Sequence, residues 1–184
     1  MKYFLWTNSI VVLFLTGYHI YNLHNEKKYT KEILEYIKDD ILKKKLTHDL
    51  DWYIQRIYYY KYIYYLLSIA IMEINSIIPV LNTSLTEEKR VTISLISVIA
   101  TIFTGIISFT KCSESWIRHR NTYENIKYEV ENYINKVDIY NDENKAKYNF
   151  YKRYDELKYK NLNQWSILRK EKNKEYKNKE YNSK

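Results

Sequence analysis

Apolar positions in this chain fall into two long uncharged runs, flanked by segments whose apolar residues recur every three or four positions. Residues 91–110, VTISLISVIATIFTGIISFT, carry no formal charge between Arg90 and Lys111. Twenty helical residues span roughly 30 Å, the thickness of a bilayer's hydrocarbon core. A soluble core helix of that length carries a charged or strongly polar face, and this run offers only Ser and Thr. Residues 62–81, YIYYLLSIAIMEINSIIPVL, form a second apolar run, with Pro79 near its end, where a kink is tolerated. Residues 82–90, NTSLTEEKR, leave room only for a hairpin loop between them. The pattern predicts two transmembrane helices.

Residues 3–25 also lack a formal charge, with an apolar centre from Ile10 to Leu15. A cleaved signal peptide is the rival reading. Lys2 alone supplies a basic flank, and no Ala precedes Ala70, so an A-x-A cleavage site is absent. A retained N-terminal membrane helix is the favoured expectation. In residues 29–46, Ile33, Ile37 and Ile41 recur every four positions and predict an amphipathic helix with Thr30 as N-cap. Thr47–Asp51 reads as a break or the start of the next helix, with Asp49 a candidate cap. One long helix then runs from Leu50 to about Leu81. Its opening, DWYIQRIYYYKYIYY, reads as an interfacial belt of aromatic rings and snorkelling cations.

No helix breaker follows residue 110, so the second span is expected to continue as one rod to about Lys136. Trp116, His119, Tyr123, Ile126, Val130, Tyr133 and Val137 step by three and four and form a packing seam. Its expected partner is residues 144–172, where Phe150, Tyr154, Leu157, Leu162, Trp165 and Leu168 make a looser stripe. KNKEY then occurs twice, at 172–176 and 177–181, and predicts a frayed or disordered tail.

These patterns divide the chain into a hydrophobic N-terminal segment (1–28), an amphipathic helix (29–47), a main unit (48–170) and a basic tail (171–184). The main unit holds spans at 62–81 and 91–110 and cytoplasmic helices at 111–137 and 144–170. The expected fold class is all-α: an integral membrane protein with a transmembrane helical hairpin, an added N-terminal membrane helix and long cytoplasmic helices.

Composition changes this picture little. The mean hydropathy of -0.57 averages apolar runs with very polar ones. Tyr is 22 while Gly is 2 and Pro is 1, a bias expected of an AT-rich genome rather than of function. The net charge of +8 is local: residues 145–184 hold 13 basic and 5 acidic side chains, and the remainder is balanced. Cys112 is the single cysteine, which excludes an intrachain disulfide and a Cys-based zinc site. The four His show no ligand spacing, so no metal or cofactor is expected. Lys27, Lys28, Lys31 and Lys43–Lys45 precede the first span, and Lys111, Arg118, Arg120 and Lys127 follow the second. The loop between them has only Lys89 and Arg90. Positive charge near span ends marks the cytoplasmic side, so both long arms and the C-terminus are expected in the cytoplasm of a multi-pass cell-membrane protein.

Glu73 lies near the midpoint of the first span, where a carboxylate costs about 2.5–3.5 kcal/mol on insertion scales. It must be protonated, paired, or turned towards helices or water. It is a candidate pore-lining group or an interhelical hydrogen-bonding residue, with Asn75 and Ser76 close by. On the second span Ser94, Ser97, Thr101, Thr104 and Ser108 step by three and four, with Gly105 alongside. Small hydroxyl residues let helices approach closely, and in an oligomer the same stripe can line a narrow polar path. Beyond the membrane, Trp116, Arg120 and Glu124 lie on adjoining turns, so that Arg120 can pair with Glu124 and stack on Trp116. Lys127 and Glu129 follow.

The segment SESWIRHRNTYENIKYEVENYINKVDIY, with YDELKYKNLNQWSILRK downstream, resembles the cytoplasmic half of the SLATT-type families. These are two-transmembrane effector domains associated with nucleotide-making and nucleotide-sensing proteins, and they include a related two-transmembrane domain of unknown function. Trp116, Arg120, Glu124, Lys127, Glu129 and Trp165 fill the family's motif positions. Asp51-Trp52-Tyr53 and Ile78-Pro79-Val80 resemble the start and end of its first span. The likeness covers about residues 48–170, and the extra N-terminal span departs from it. It implies an oligomeric membrane-perturbing or pore-forming effector in prokaryotic conflict systems, triggered by a nucleotide-signalling partner protein. A non-enzymatic anchor or scaffold is the alternative. No nucleophile with its base, Gly-rich phosphate loop or metal cluster is visible, so an enzyme is not expected. The basic tail is expected beside an anionic leaflet rather than on nucleic acid.

Overall fold

The structure is a computed structural model. It describes the backbone of residues 2–82 and 87–182, and their side chains apart from those of 2–9, 11, 80–82, 87–89 and 164–182. The described chain is all-helical: α1 (Lys2–Glu35), α2 (Asp40–Asn82), α3 (Glu87–Thr110), α4 (Cys112–Ile134), a short 3-10 turn (Asp138–Tyr140) and α5 (Glu143–Asn182). The hairpin loop expected at 82–90 falls partly outside the described residues.

Helix boundaries differ from expectation at the front of the chain. Residues 29–46 are not one amphipathic helix. Residues 29–35 finish α1, and α2 starts afresh at Asp40. Asp39 sets that start: its carboxylate accepts from Leu42 N–H at 3.0 Å and its carbonyl from Lys43 N–H at 2.8 Å, which is N-capping. Thr30 is no cap; it lies inside α1 and donates to the Glu26 carbonyl at 2.8 Å. Nor does a break occur at Thr47–Asp51, because Thr47 donates to the Lys43 carbonyl and the helix runs on. The isoleucine stripe is split accordingly: Ile37 is 4 % exposed but Ile41 is 78 % exposed. α2 buries Leu42, Leu46 and Leu50 instead, one residue out of the expected phase.

The second span and its extension are not one uninterrupted rod. Lys111 takes a left-handed φ of 48° between α3 and α4. Lys111 N–H still donates to Ile107 O at 3.1 Å and Ser115 N–H to Lys111 O at 2.9 Å, so the interruption is one residue wide. At the far end, α5 continues to Asn182, where a frayed or disordered tail from 171 was expected. The repeats lack Gly and Pro, and Glu175 stands four residues before Lys179 and Glu171 three before Lys174, spacings at which opposite charges support a helix.

The chain forms two compact units. The first comprises Met1–Thr30 and Asp51–Ile117. Within it α1 and α2 run antiparallel: the Thr16 and Tyr62 hydroxyls are 3.2 Å apart, and the His19 ring lies 5.2 Å from Tyr58 and 4.9 Å from Tyr62. Tyr53, Ile54, Ile57, Tyr58, Ala100 and Cys112 are buried. Two helical stretches, Asp40–Pro79 and Arg90–Ile134, are long and apolar enough to cross a membrane, and the chain buries almost nothing of their apolar windows. On α3 the inward line is Ile93, Ile96, Ala100, Phe103 and Ile107, while Val91, Leu95, Val98, Ile102 and Phe109 point outward and are exposed.

The second unit comprises Lys31–Leu50 and Arg118–Lys184. Its core is Leu34, Ile37, Leu42, Leu46 and Leu50 against Tyr123, Ile126 and Val130 of α4 and Phe150 and Tyr154 of α5, all buried. Each fully buried Leu or Ile contributes about 1.5–3 kcal/mol. α4 ends in a Schellman motif: Val137 N–H donates to Asn132 O at 3.0 Å and Lys136 N–H to Tyr133 O at 3.3 Å, with Lys136 at φ 54°. The turn after it folds Tyr140 into the core, where Tyr133, Tyr140 and Phe150 meet with ring centroids 5.0–6.4 Å apart. The seam expected along α4 is buried from His119 to Val130 and emerges at Val137, which is 49 % exposed. On α5, Leu162 is 68 % exposed, and Asn161 takes the buried place at 7 %.

Candidate functional site

The candidate residues fall into a polar feature on the apolar helices and an ion-pair face on α4. Glu73 is half-buried on α2, with Asn75 and Ser76 exposed beside it. Ser76 donates to the Met72 carbonyl at 2.8 Å. On α3, Ser97, Thr101 and Thr104 each donate at 2.9 Å to the carbonyl four residues earlier. Such back-bonding satisfies a hydroxyl proton without a second helix and leaves its lone pairs free to accept. Ser94, Thr101, Thr104 and Ser108 are exposed, and Ser97 is half-buried. A methyl added at Gly105 would meet nothing within 4 Å. The expected close-packing role of this stripe is therefore not used within the single chain, where the adjacent Ile93–Ile107 line packs inward.

The α4 face is built on fully buried Tyr123. Arg120 pairs with one oxygen of Glu124, and Lys127 Nζ lies 3.2 Å from the other. Both cations also lie over the Tyr123 ring, at 5.5 and 5.8 Å from its centroid. One carboxylate thus holds two cations against an aromatic face, which fixes three side chains at once. Glu129 performs a different task. It accepts the Tyr140 hydroxyl at 2.5 Å and so ties the post-α4 turn to α4. Burial, reinforced by the Glu129 carboxylate, pushes the Tyr140 phenol well above its usual range. Trp116 sits in the first unit with Lys61 Nζ 5.9 Å from its ring centroid. Its indole nitrogen is buried without a hydrogen-bond partner among the described residues. The side chain of Trp165 lies outside the described residues.

Three contacts of the second unit escaped sequence reasoning. Asp39 pairs with Lys147, and Asp49 accepts from both Tyr154 and Lys158, the latter at 2.8 Å. The separations in sequence are 108 and 109, so the opening of α2 lies parallel to α5 in constant register. Burial alone would raise the Asp49 carboxyl, but the hydrogen bonds from Lys158, Tyr154 and His48 outweigh it and hold it below the usual range. The Lys147 hydrogen bond, with the Leu42 amide, holds Asp39 low as well. Third, Asn161 Nδ2 donates to Thr122 Oγ1 at 2.7 Å. The spacing held a signal for this pair: Phe150, Tyr154 and Leu157 continue in helical period to position 161, not to 162.

Beside the Asn161–Thr122 pair lies a cleft of about 290 Å³ between α4 and α5. It is lined by Asn121, Thr122, Glu124 and Asn125 on one side and Leu157, Lys160 and Asn161 on the other. Among the described residues no cluster of His, Cys, Asp and Glu has the arrangement of a metal site.

No curated protein and no solved structure matches the chain. A family model described as a protein of unknown function, DUF4231, matches residues 48–148. That match takes in α2 from His48 onward, all of α3 and α4, and the turn that Glu129 anchors, and by it the chain belongs to the DUF4231 family.

Proposed function

We propose that the chain is a multi-pass protein of the cell membrane, with α2 and α3 crossing the bilayer and the α4–α5 unit in the cytoplasm. The observation that carries this is α3, whose Val91, Leu95, Val98, Ile102 and Phe109 are exposed on one side while the opposite side packs inward. A contiguous apolar surface of that extent is not tolerated in water and is satisfied by lipid. The antiparallel pairing of α1 with α2 through Thr16–Tyr62 and His19–Tyr58 carries residues before Thr16 alongside the apolar window of α2. That supports a third, N-terminal helix in the membrane, with Met1 outside and both polar arms inside.

Within that frame the protein acts as an oligomeric pore-forming or membrane-perturbing effector of a prokaryotic conflict system. Support comes from the SLATT-like residues Trp116, Arg120, Glu124, Lys127 and Glu129, and from an α3 stripe left uncovered in the single chain. A second copy packs on Ser94, Thr101, Thr104, Ser108 and Gly105, and Glu73 faces the assembled centre. The cytoplasmic unit receives a trigger from a nucleotide-signalling partner. The back-bonded hydroxyls favour a second reading, a non-enzymatic anchor or scaffold, because their protons are already committed within α3. Expression in cells with a membrane-potential dye separates the two. Depolarisation by the native chain, lost in Glu73→Ala and Trp116→Ala variants that still resist alkaline extraction, supports the effector. Full extraction by alkaline carbonate removes the membrane reading, and insertion without depolarisation at any expression level leaves the scaffold.

A further inference from the structure

The cleft between α4 and α5 has the chemistry of a binding site, and the hydrogen bonds around it define what it can take. Thr122 Oγ1 donates to the Arg118 carbonyl at 3.1 Å, so its lone pairs are what it offers Asn161. The Asn161 amide must therefore turn its NH₂ to Thr122, and its carbonyl oxygen is the acceptor left over. Asn161 is 7 % exposed and lines the cleft, held by its bond to Thr122. Asn121 and Asn125 are exposed on the α4 wall, one turn apart. Side chains at that spacing are about 5–6 Å apart. An extended peptide presents same-edge main-chain groups every two residues, about 6.6–6.8 Å. Two amides one turn apart can thus take the N–H and C=O groups of alternate residues. The charge is one-sided: Glu124 is already held by Arg120 and Lys127, and Lys160 stands exposed on the opposite wall. Among the described lining residues Leu157 alone is apolar, which offers an amphipathic helix one anchor where it needs several.

We infer that this cleft binds an extended acidic peptide segment of a partner protein. The peptide main chain lies along Asn121 and Asn125, and a carboxylate side chain meets Lys160. The site belongs to the second unit alone, so the inference stands whether or not α2 and α3 cross a membrane.

The test uses the full purified chain and a fluorescein-labelled octapeptide of alternating Glu and Ser, read by fluorescence polarisation. Saturable binding is expected, weakened about tenfold or more by Asn121→Ala with Asn125→Ala and by Lys160→Glu. Lys152→Glu, on exposed α5 surface outside the cleft, should leave it unchanged. All four positions are exposed or at the cleft wall, and matching thermal melts establish that the variants are folded. No saturable binding overturns the inference. So does equal weakening by Lys152→Glu, which means unspecific attraction to basic α5. Competition by free glutamate or inorganic phosphate as effective as unlabelled peptide also overturns it, since the site would then read charge and not main chain.

Discussion

Lys158 Nζ lies 2.8 Å from Asp49 Oδ2, and the Tyr154 hydroxyl donates to the same oxygen. This contact closes a separation of 109 residues and, with Asp39–Lys147, sets the register between the start of α2 and α5. The Asp49 side chain is 18 % exposed and that of Lys158 37 %. Replacing Asp49 by Asn keeps the shape, but leaves Lys158 without its counter-charge and Tyr154 with a weaker acceptor. A loss of roughly 1–2 kcal/mol is expected, since Lys158 is open enough to water to be partly screened. Lys158→Met in the Asp49→Asn background should recover part of it. Chemical denaturation of the single and double variants, read as a double-mutant cycle, measures the coupling; strictly additive losses would rule the pairing out.

Acid should act on the same contacts. Asp39 and Asp49 have folded-state pKa values below their ordinary value of 3.8. A depressed carboxylate stabilises the fold fully above its unfolded pKa, and the contribution is lost as pH falls through the folded value. Stability should therefore be flat above about pH 5 and decline below about pH 4. Asp39→Asn with Asp49→Asn should start lower and show a shallower decline. Near-ultraviolet circular dichroism of the Tyr133–Tyr140–Phe150 cluster reports the unfolding, and an identical acid slope in the variant would be the contrary result.

The all-helical class, the two apolar stretches and the α4 seam were legible because each rests on local periodicity and charge. The α1–α2 boundary was not. Ile33, Ile37 and Ile41 are all apolar at four-residue spacing, and the deciding feature was the carboxylate of Asp39, whose cap outweighs a continued stripe. Lys111 was hidden for another reason: nothing in its sequence neighbourhood breaks a helix, yet its φ is left-handed. On α5 the apolar identity of Leu162 pulled the stripe one residue out of phase. The family-motif positions Arg120, Glu124, Lys127 and Glu129 were legible by number, but their division of labour needed the fold. Three serve one ion-pair face, and Glu129 anchors a turn whose partner, Tyr140, lies eleven residues on.

The buried Asn161 makes that phase error testable. Thr122→Val removes the acceptor of a buried amide and should cost about 1–3 kcal/mol. Asn161→Leu places an apolar side chain of the same branching at a position flanked by Leu157 and should cost less than Thr122→Val, since no unsatisfied amide remains. Thermal melts of the two variants check the order. A larger loss for Asn161→Leu would mean that its carbonyl oxygen carries a structural bond and is not available to a ligand.

At Lys111 the backbone itself gives a prediction. The residue is non-glycine at φ 48°, a conformation about 1–2 kcal/mol above the right-handed one for an L-residue. Cys112 next to it is 1 % exposed, and its sulfur lies 2.9 Å from the Thr110 hydroxyl, so local packing holds the junction where it is. Lys111→Gly removes the Cβ clash and should raise the melting temperature of the purified chain, despite the loss of the Lys111–Glu114 pair at 2.9 Å, whose side chains are 31 % and 50 % exposed and worth only a few tenths of a kcal/mol. Lys111→Val adds a β-branch at a left-handed φ and should lower it. Glu114→Gln removes the ion pair alone and should change little, which separates backbone strain from charge. If Lys111→Gly destabilised the chain as much as Lys111→Val, the α3–α4 junction would not be strained, and the helix would pass through residue 111 unbroken as its sequence suggests.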